Sequence, residues 1–189
     1  VLVELGGMPD FVKWTGKSPE HILDVWLQSD TVRALEKGHI TFAEFHAAFI
    51  KEWDIDITHD ALAEAFEGWV KTAYPGALQL LAELKPQHTL ACLTNTNCVQ
   101  WPIIQKTLHT DKYFDHQFVS YHIGKVKPDR DIFEHVAVQL DVPPKNILFI
   151  DDSQTNVQAA RECGIIAHTA NTIDAVCRVL RASGVALSH

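Results

Sequence analysis

The sequence predicts an α/β protein: a Rossmann-like, three-layer core with a mostly parallel sheet, joined to a helical module. Three observations carry this. From Tyr74-Pro75-Gly76 onward, short apolar runs alternate with helical patterns, as βα units require. Before that point apolar residues recur at helical spacing and no convincing strand appears. A chain of 189 residues, 47% of them hydrophobic, can bury one sizeable core and a small second module.

The elements follow in order. Ser18-Pro19-Glu20 reads as an N-cap, a proline in the first turn and an acidic first turn. Ile22, Leu23, Trp26 and Leu27 then share one helix face. A shorter helix is expected from Thr31 to Lys37, closed by Gly38. Thr41 and Glu44 form a capping box that opens a helix through Trp53. Another helix follows Thr58 and places Leu62, Ala65, Phe66 and Trp69 on one side. Beyond residue 73, helices are expected over 77–85, 99–108 (despite Pro102), 129–140, 155–163 and 173–182. Strands are expected over 89–93, 116–120, 147–150 and 165–168. Residues 1–7 belong to the core, 8–72 to a helical cap and 73–189 to the Rossmann-like core.

The net charge of −8 argues against broad nucleic-acid or anionic-membrane binding, which needs a basic face. No apolar run approaches the ~20 residues of a membrane span. No signal peptide is visible, so a cytoplasmic location is expected. The four cysteines have no CxxC spacing and read as reduced, buried thiols. The eleven histidines form no HxxxH or HExxH pair and suggest no metal site.

Open parallel sheets place their sites beyond the carboxyl ends of the strands. Three such ends carry polar groups: Thr94-Asn95-Thr96-Asn97, the loop from Gly124 to Asp129 with Lys127, and Asp151-Asp152. Two adjacent carboxylates at the end of an apolar run oppose each other's ionisation and call for compensation. A divalent cation with hard oxygen preference, Mg²⁺, would supply it. A phosphate would satisfy the hydroxyl, backbone N–H groups and ammonium. A metal beside an anion clamp is what phosphoryl transfer requires.

The order of "LTNTN", "GKVKPDRDIF" and "ILFIDDSQTNVQAA" resembles the second, third and fourth motifs of the haloacid-dehalogenase-like hydrolase superfamily. The pattern is most similar to its small sugar-phosphate phosphatases, the α-glucose-1-phosphate phosphatase group. The resemblance implies a Mg²⁺-dependent phosphatase of small phosphorylated metabolites, with a four-helix cap. It casts Thr94, the Asn95 backbone and Lys127 as phosphate-binding groups, with Thr94 and Lys127 catalytic. It implies Asp152 as a direct metal ligand, Asp151 as a second one reached through water, and Asn156 as a brace for that loop. Replacing Lys127 by alanine is then expected to cut turnover by orders of magnitude with little loss of fold.

The family's first motif, hhhhDxDGT or hhFDxGG, carries an aspartate nucleophile and does not stand in this chain. Either "VLVEL" follows that motif, placing the nucleophile about four residues before Val1, or Glu4 in "VELGG" occupies the aspartate's place. The first placement is favoured. The second leaves only Val1 to Val3 for a central strand, and a glutamate displaces its carboxylate by a methylene. Two rival readings are a metal-free 2-haloacid dehalogenase, which gives no reason for Asp151-Asp152, and a non-catalytic binding protein. Phe11, Trp14 and Trp26 read as cap core rather than as pocket lining.

Overall fold

The computed structural model describes residues 1–188. Strand β1 (Val3–Leu5) is followed by five helices: α1 (Met8–Thr15), α2 (Pro19–Gln28), α3 (Asp30–Glu36), α4 (Phe42–Trp53) and α5 (His59–Trp69). Their starts follow from side-chain chemistry. Ser18, Ser29, Thr41 and Thr58 each accept a hydrogen bond from the backbone N–H three residues on, satisfying a donor that a helix leaves orphaned. Thr41 and Glu44 complete a reciprocal capping box. Helix α1 lies in a stretch with no expected element. Gly7 offers no side-chain cap, and Pro9 and the left-handed Gly16 bound the helix instead.

These helices enclose an aromatic core. Phe45, Phe49, Phe66 and Leu62 are fully buried. The Phe11 ring lies 5.0–5.7 Å from the rings of Trp14, Trp26, Phe49, Trp53 and Trp69. Phe11 and Trp26 therefore work as core, as their type suggests. The expected apolar face of α2 divides: Ile22 is buried, whereas Leu23 and Leu27 face outward.

The chain leaves this module through β2 (Val70–Ala73), which pairs antiparallel with β1. Neither strand was legible as a pair, because three and four residues are too few to show alternation. The remaining elements are α6 (Ala77–Leu84), β3 (Ala91–Thr94), α7 (Trp101–Leu108), α8 (Thr110–Tyr113), β4 (His116–Val119), α9 (Ser120–Ile123), α10 (Arg130–Leu140), β5 (Leu148–Asp151), α11 (Gln154–Glu162), β6 (Ile166–Thr169) and α12 (Ile173–Ala182). Pro102 sits in the first turn of α7, where its missing N–H costs nothing. The expectation of buried cysteines is not met: Cys98 is exposed and Cys92, Cys163 and Cys177 are only half-buried, all four as free thiols.

Strand β3 pairs in parallel with β4, Ala91 opposite His116 and Thr94 opposite Val119. Strand β5 pairs in parallel with β6, Leu148 opposite Ile166 and Asp151 opposite Thr169. Among the described residues no strand pairing joins β3 to β5. Val1, Leu90, Leu148 and Ile150 all pack against the cluster of Leu80, Leu84, Val176 and Leu180. The helical module meets the core where α3 ends. Gly38 has φ 66°, and a Cβ there would run into the Tyr121 carbonyl oxygen on α9.

Candidate active site

The site is assembled where β3 and β5 end. Asn95 follows β3 and brackets the backbone of Lys127. Its Nδ2 donates to the Lys127 carbonyl at 2.9 Å, and its Oδ1 accepts from the Lys127 N–H at 2.9 Å. The next residue is locked as well: the Thr96 N–H donates to the Ser120 hydroxyl at 2.9 Å, which donates back to the Thr96 carbonyl at 3.0 Å. Thr94 is half-buried, and its hydroxyl makes one long contact, 3.4 Å, to the Asn95 carbonyl. That hydroxyl is only weakly engaged within the protein.

The bracket fixes the direction of the Lys127 side chain. Its ammonium donates to the Leu93 carbonyl at 3.1 Å and to Asp151 Oδ2 at 2.6 Å. The pair is buried, with side-chain exposures of 9% for Lys127 and 6% for Asp151. Asp151 Oδ1 accepts from the Ser153 N–H at 2.8 Å and from Asn156 Nδ2 at 2.9 Å. Asn156 is in place because Ser153 caps α11, which sets residues 153 and 156 one turn apart. Burial works to raise the Asp151 pKa, but the Lys127 charge and the hydrogen bonds from Lys127, Asn156 and Ser153 hold it below the usual carboxylate range.

The two adjacent carboxylates thus diverge. Asp151 turns inward, whereas Asp152 is 60% exposed, with its Oδ2 3.7 Å from the Val1 nitrogen. The structure brings Asn95, Lys127, Asp151 and Asn156 into one hydrogen-bonded set, with Thr94 at its edge and Asp152 outside it. Lys125, the other lysine of the loop, pairs with Asp131 at the surface at 2.7 Å. Glu4 lies on the β1–β2 ribbon and is exposed.

Sequence reasoning missed one group at this place. Glu36, on the last turn of α3, sits where the charges of Lys127 and Arg33 and the nearby Asn95 amide favour its ionised form. Burial nonetheless pushes its carboxyl up to about 7. Its neighbours on the helix explain its position: Arg33 donates to both Asp129 oxygens, at 3.0 and 2.7 Å, and Lys37 reaches Asp129 at 3.1 Å. A glutamate among charged residues on a helix reads as a solvated face, so only the position of α3 over the 124–130 loop reveals it.

Among the described residues no three His, Cys, Asp or Glu side chains form a metal cage. Asp152 offers an exposed hard oxygen donor at the strand end. Of the Asp151 oxygens, Oδ1 is taken by Ser153 and Asn156, while Oδ2, bonded to Lys127, keeps one further lone pair. Such donors would suit a hard divalent cation that takes most of its coordination from water and from the oxygens of a bound anion.

A buried lysine–aspartate pair and a weakly engaged hydroxyl thus stand together at the ends of parallel strands in an α/β protein with a helical module. The haloacid dehalogenase-like hydrolase family model matches residues 10–164, and the chain belongs to that family. A D-ribitol-5-phosphate phosphatase of Bacteroides thetaiotaomicron is 24% identical over 82% of this chain and 78% of its own length. A sesquiterpene phosphatase of Aspergillus oryzae is 33% identical over 82% of this chain and 80% of its own. A haloacid-dehalogenase-family enzyme of B. thetaiotaomicron superposes with a TM-score of 0.79 at 26% identity, covering 96% of this chain and 94% of that one. The same enzyme has been crystallised with magnesium and inorganic phosphate; that structure gives a TM-score of 0.75 at 26% identity over 92% and 90% of the two chains.

Proposed function

We propose that the protein is a Mg²⁺-dependent phosphatase of small phosphorylated metabolites, working through an aspartyl-phosphate intermediate. The observation that carries this reading is the buried Lys127–Asp151 pair, framed by Asn95 and Asn156. A fixed ammonium in a poorly hydrated site is the group that phosphoryl transfer needs, because charge on the phosphoryl oxygens must be met without reorganisation. Thr94 presents a weakly engaged hydroxyl to the same oxygens, and Lys127 binds and orients them. Magnesium, held by Asp152 and Asp151, would add Lewis-acid neutralisation of the phosphoryl charge. The phosphatase relatives and the magnesium–phosphate complex of a structural neighbour support the same chemistry.

The nucleophile is assigned to an aspartate about four residues before Val1. Val1 packs against the Leu80, Leu84, Val176 and Leu180 cluster and its backbone nitrogen lies 3.7 Å from Asp152, so a preceding segment would start beside Asp152. Such a segment could run between β3 and β5 and satisfy the facing edges of both strands. The exposed position of Glu4 on β1 speaks against the rival placement.

The test compares the chain starting at Val1 with one extended by about ten natural upstream residues. The extended form should melt at higher temperature and release phosphate from phosphate monoesters with Mg²⁺ but not in excess EDTA. Turnover that persists in EDTA, or halide release from 2-haloacids instead of phosphate release, would overturn the proposal. Equal melting and equal turnover of the two lengths would overturn the placement of the nucleophile.

A further inference from the structure

Asp129 is the residue that the helical module grips on the core, and it is also the N-cap residue of α10. The two roles compete for one carboxylate. Arg33 Nη2 donates to both of its oxygens, at 3.0 and 2.7 Å, and the Lys37 ammonium lies 3.1 Å from Oδ2. In this arrangement the Asp129 side chain makes no capping hydrogen bond to α10. Its backbone is nevertheless set for one. Its φ of −60° and ψ of 139° lie close to those of Ser18 (φ −71°, ψ 152°) and Thr58 (φ −72°, ψ 157°), which both cap their helices. Aspartate is among the preferred N-cap residues, and its negative charge suits the positive end of a helix. An eleven-residue helix thus begins with a capable cap that is turned away to hold another element.

We infer that Asp129 is a two-way switch: with α3 docked it binds Arg33 and Lys37, and with α3 undocked it turns onto the first turn of α10 and accepts from the Asp131 or Ile132 N–H. The carboxylate is then satisfied in both states. Its side chain is one-third exposed, so undocking without a second set of donors would leave a partly buried charge short of partners. The cap supplies those donors, and the helical module can leave the 124–130 loop with little net loss at this residue. An element with two satisfied arrangements shifts its population under a small bias. Asp129 stands two residues beyond Lys127, whose backbone Asn95 brackets, so the switch sits on the loop that carries the buried ammonium. It rests on the two competing sets of contacts and holds whatever reaction the site performs.

The experiment is amide hydrogen exchange followed by NMR on the full-length protein, read at Asp131 and Ile132. Arg33→Gln/Lys37→Gln releases the carboxylate. At least one of the two amides should then exchange about 2- to 30-fold more slowly than in wild type, the range an N-cap side chain supplies. Adding Asp129→Ala should abolish the gain, whereas adding Asp129→Asn, which also caps helices, should keep it. Salt offers a route without substitution at the clamp: about 1 M salt shortens the Debye length to ~3 Å and should slow the same amides in wild type but not in Asp129→Ala. Unchanged or faster exchange at both amides in Arg33→Gln/Lys37→Gln would overturn the inference. So would a gain that survives Asp129→Ala. If the doubly substituted chain fails to fold, the salt comparison decides: slowing confined to wild type supports the switch, and equal behaviour of wild type and Asp129→Ala overturns it.

Discussion

Lys127 gives its ammonium to two partners, the Leu93 carbonyl and Asp151, and little of either charged side chain reaches water. This changes what its removal should do. The sequence suggests a loss of activity with the fold intact, as for a solvated active-site lysine. In the structure, Lys127→Met leaves Asp151 buried with half of its compensation gone, which typically costs about 3–5 kcal/mol. The variant should therefore lose turnover and also unfold at markedly lower urea concentration. Adding Asp151→Asn should return much of the stability and none of the activity, which urea midpoints and phosphate release would show together. A single variant as stable as wild type would mean that the pair is solvated. The residues alone single out Lys127 and Asp151 as polar groups near strand ends, and Asn156 is singled out only through the resemblance to the hydrolase motifs. Which of Asp151 and Asp152 turns inward is not legible, since alternation along a four-residue strand is broken where the chain enters its loop. Glu36 is hidden for another reason: its surroundings depend on the docking of α3 on Asp129, which no local pattern encodes.

Helix α3 is seven residues long, too short to be stable by itself, so its position depends on what it docks against. The docking is ionic at one end, through Arg33 and Lys37 on Asp129. Asp129 is one-third exposed, so each pair is worth about 0.5–1 kcal/mol and weakens with salt. A double-mutant cycle with Arg33→Gln and Asp129→Asn should return a coupling of about that size at low ionic strength. The coupling should shrink well above ~0.15 M salt. Acid should act at the same point. Partial burial works to raise the Asp129 pKa, but hydrogen bonds and charge from Lys37 and Arg33 hold it below its usual value. A pKa lowered in the folded state stabilises fully above the unfolded value of ~3.9 and is lost as pH falls through the folded value. Below about pH 4, wild type should therefore lose stability more steeply than Asp129→Asn in a circular dichroism titration. Parallel curves would show that the contact contributes nothing. At this scale the helices are the legible part: the Ser18 cap and the Thr41–Glu44 capping box form as expected, whereas the Ser29 cap starts α3 at Asp30, one residue before the expected Thr31. The β1–β2 ribbon is not legible, and helix α1 lacks the side-chain cap that would have announced it.

Across the whole molecule, the change at residues 74–76 from helical periodicity to alternating strands and helices is clear in the sequence and matches the division of the hydrophobic clusters. The aromatic cluster draws its buried members from residues 11–69, and the other clusters draw theirs from residue 80 onward. What the pattern could not supply is how closely the two parts approach. Gly38 sets that distance by backbone against backbone, since no side chain stands between it and the Tyr121 carbonyl. Its role is that of a missing spacer, and Gly38→Ala would insert one. The left-handed φ alone costs an alanine about 1 kcal/mol, and the added methyl would prop the helical part away from the core in whatever fraction of molecules tolerates it. The chemistry would then be intact in each closed molecule while fewer molecules are closed. If a tenth of the population remains competent, the apparent KM rises about tenfold with kcat held at saturation. Steady-state kinetics on a phosphate monoester would detect this, and a fall in kcat at unchanged KM would argue against it. A single hydrogen atom in place of a methyl group would then govern how often the enzyme is ready to work, without touching substrate at all.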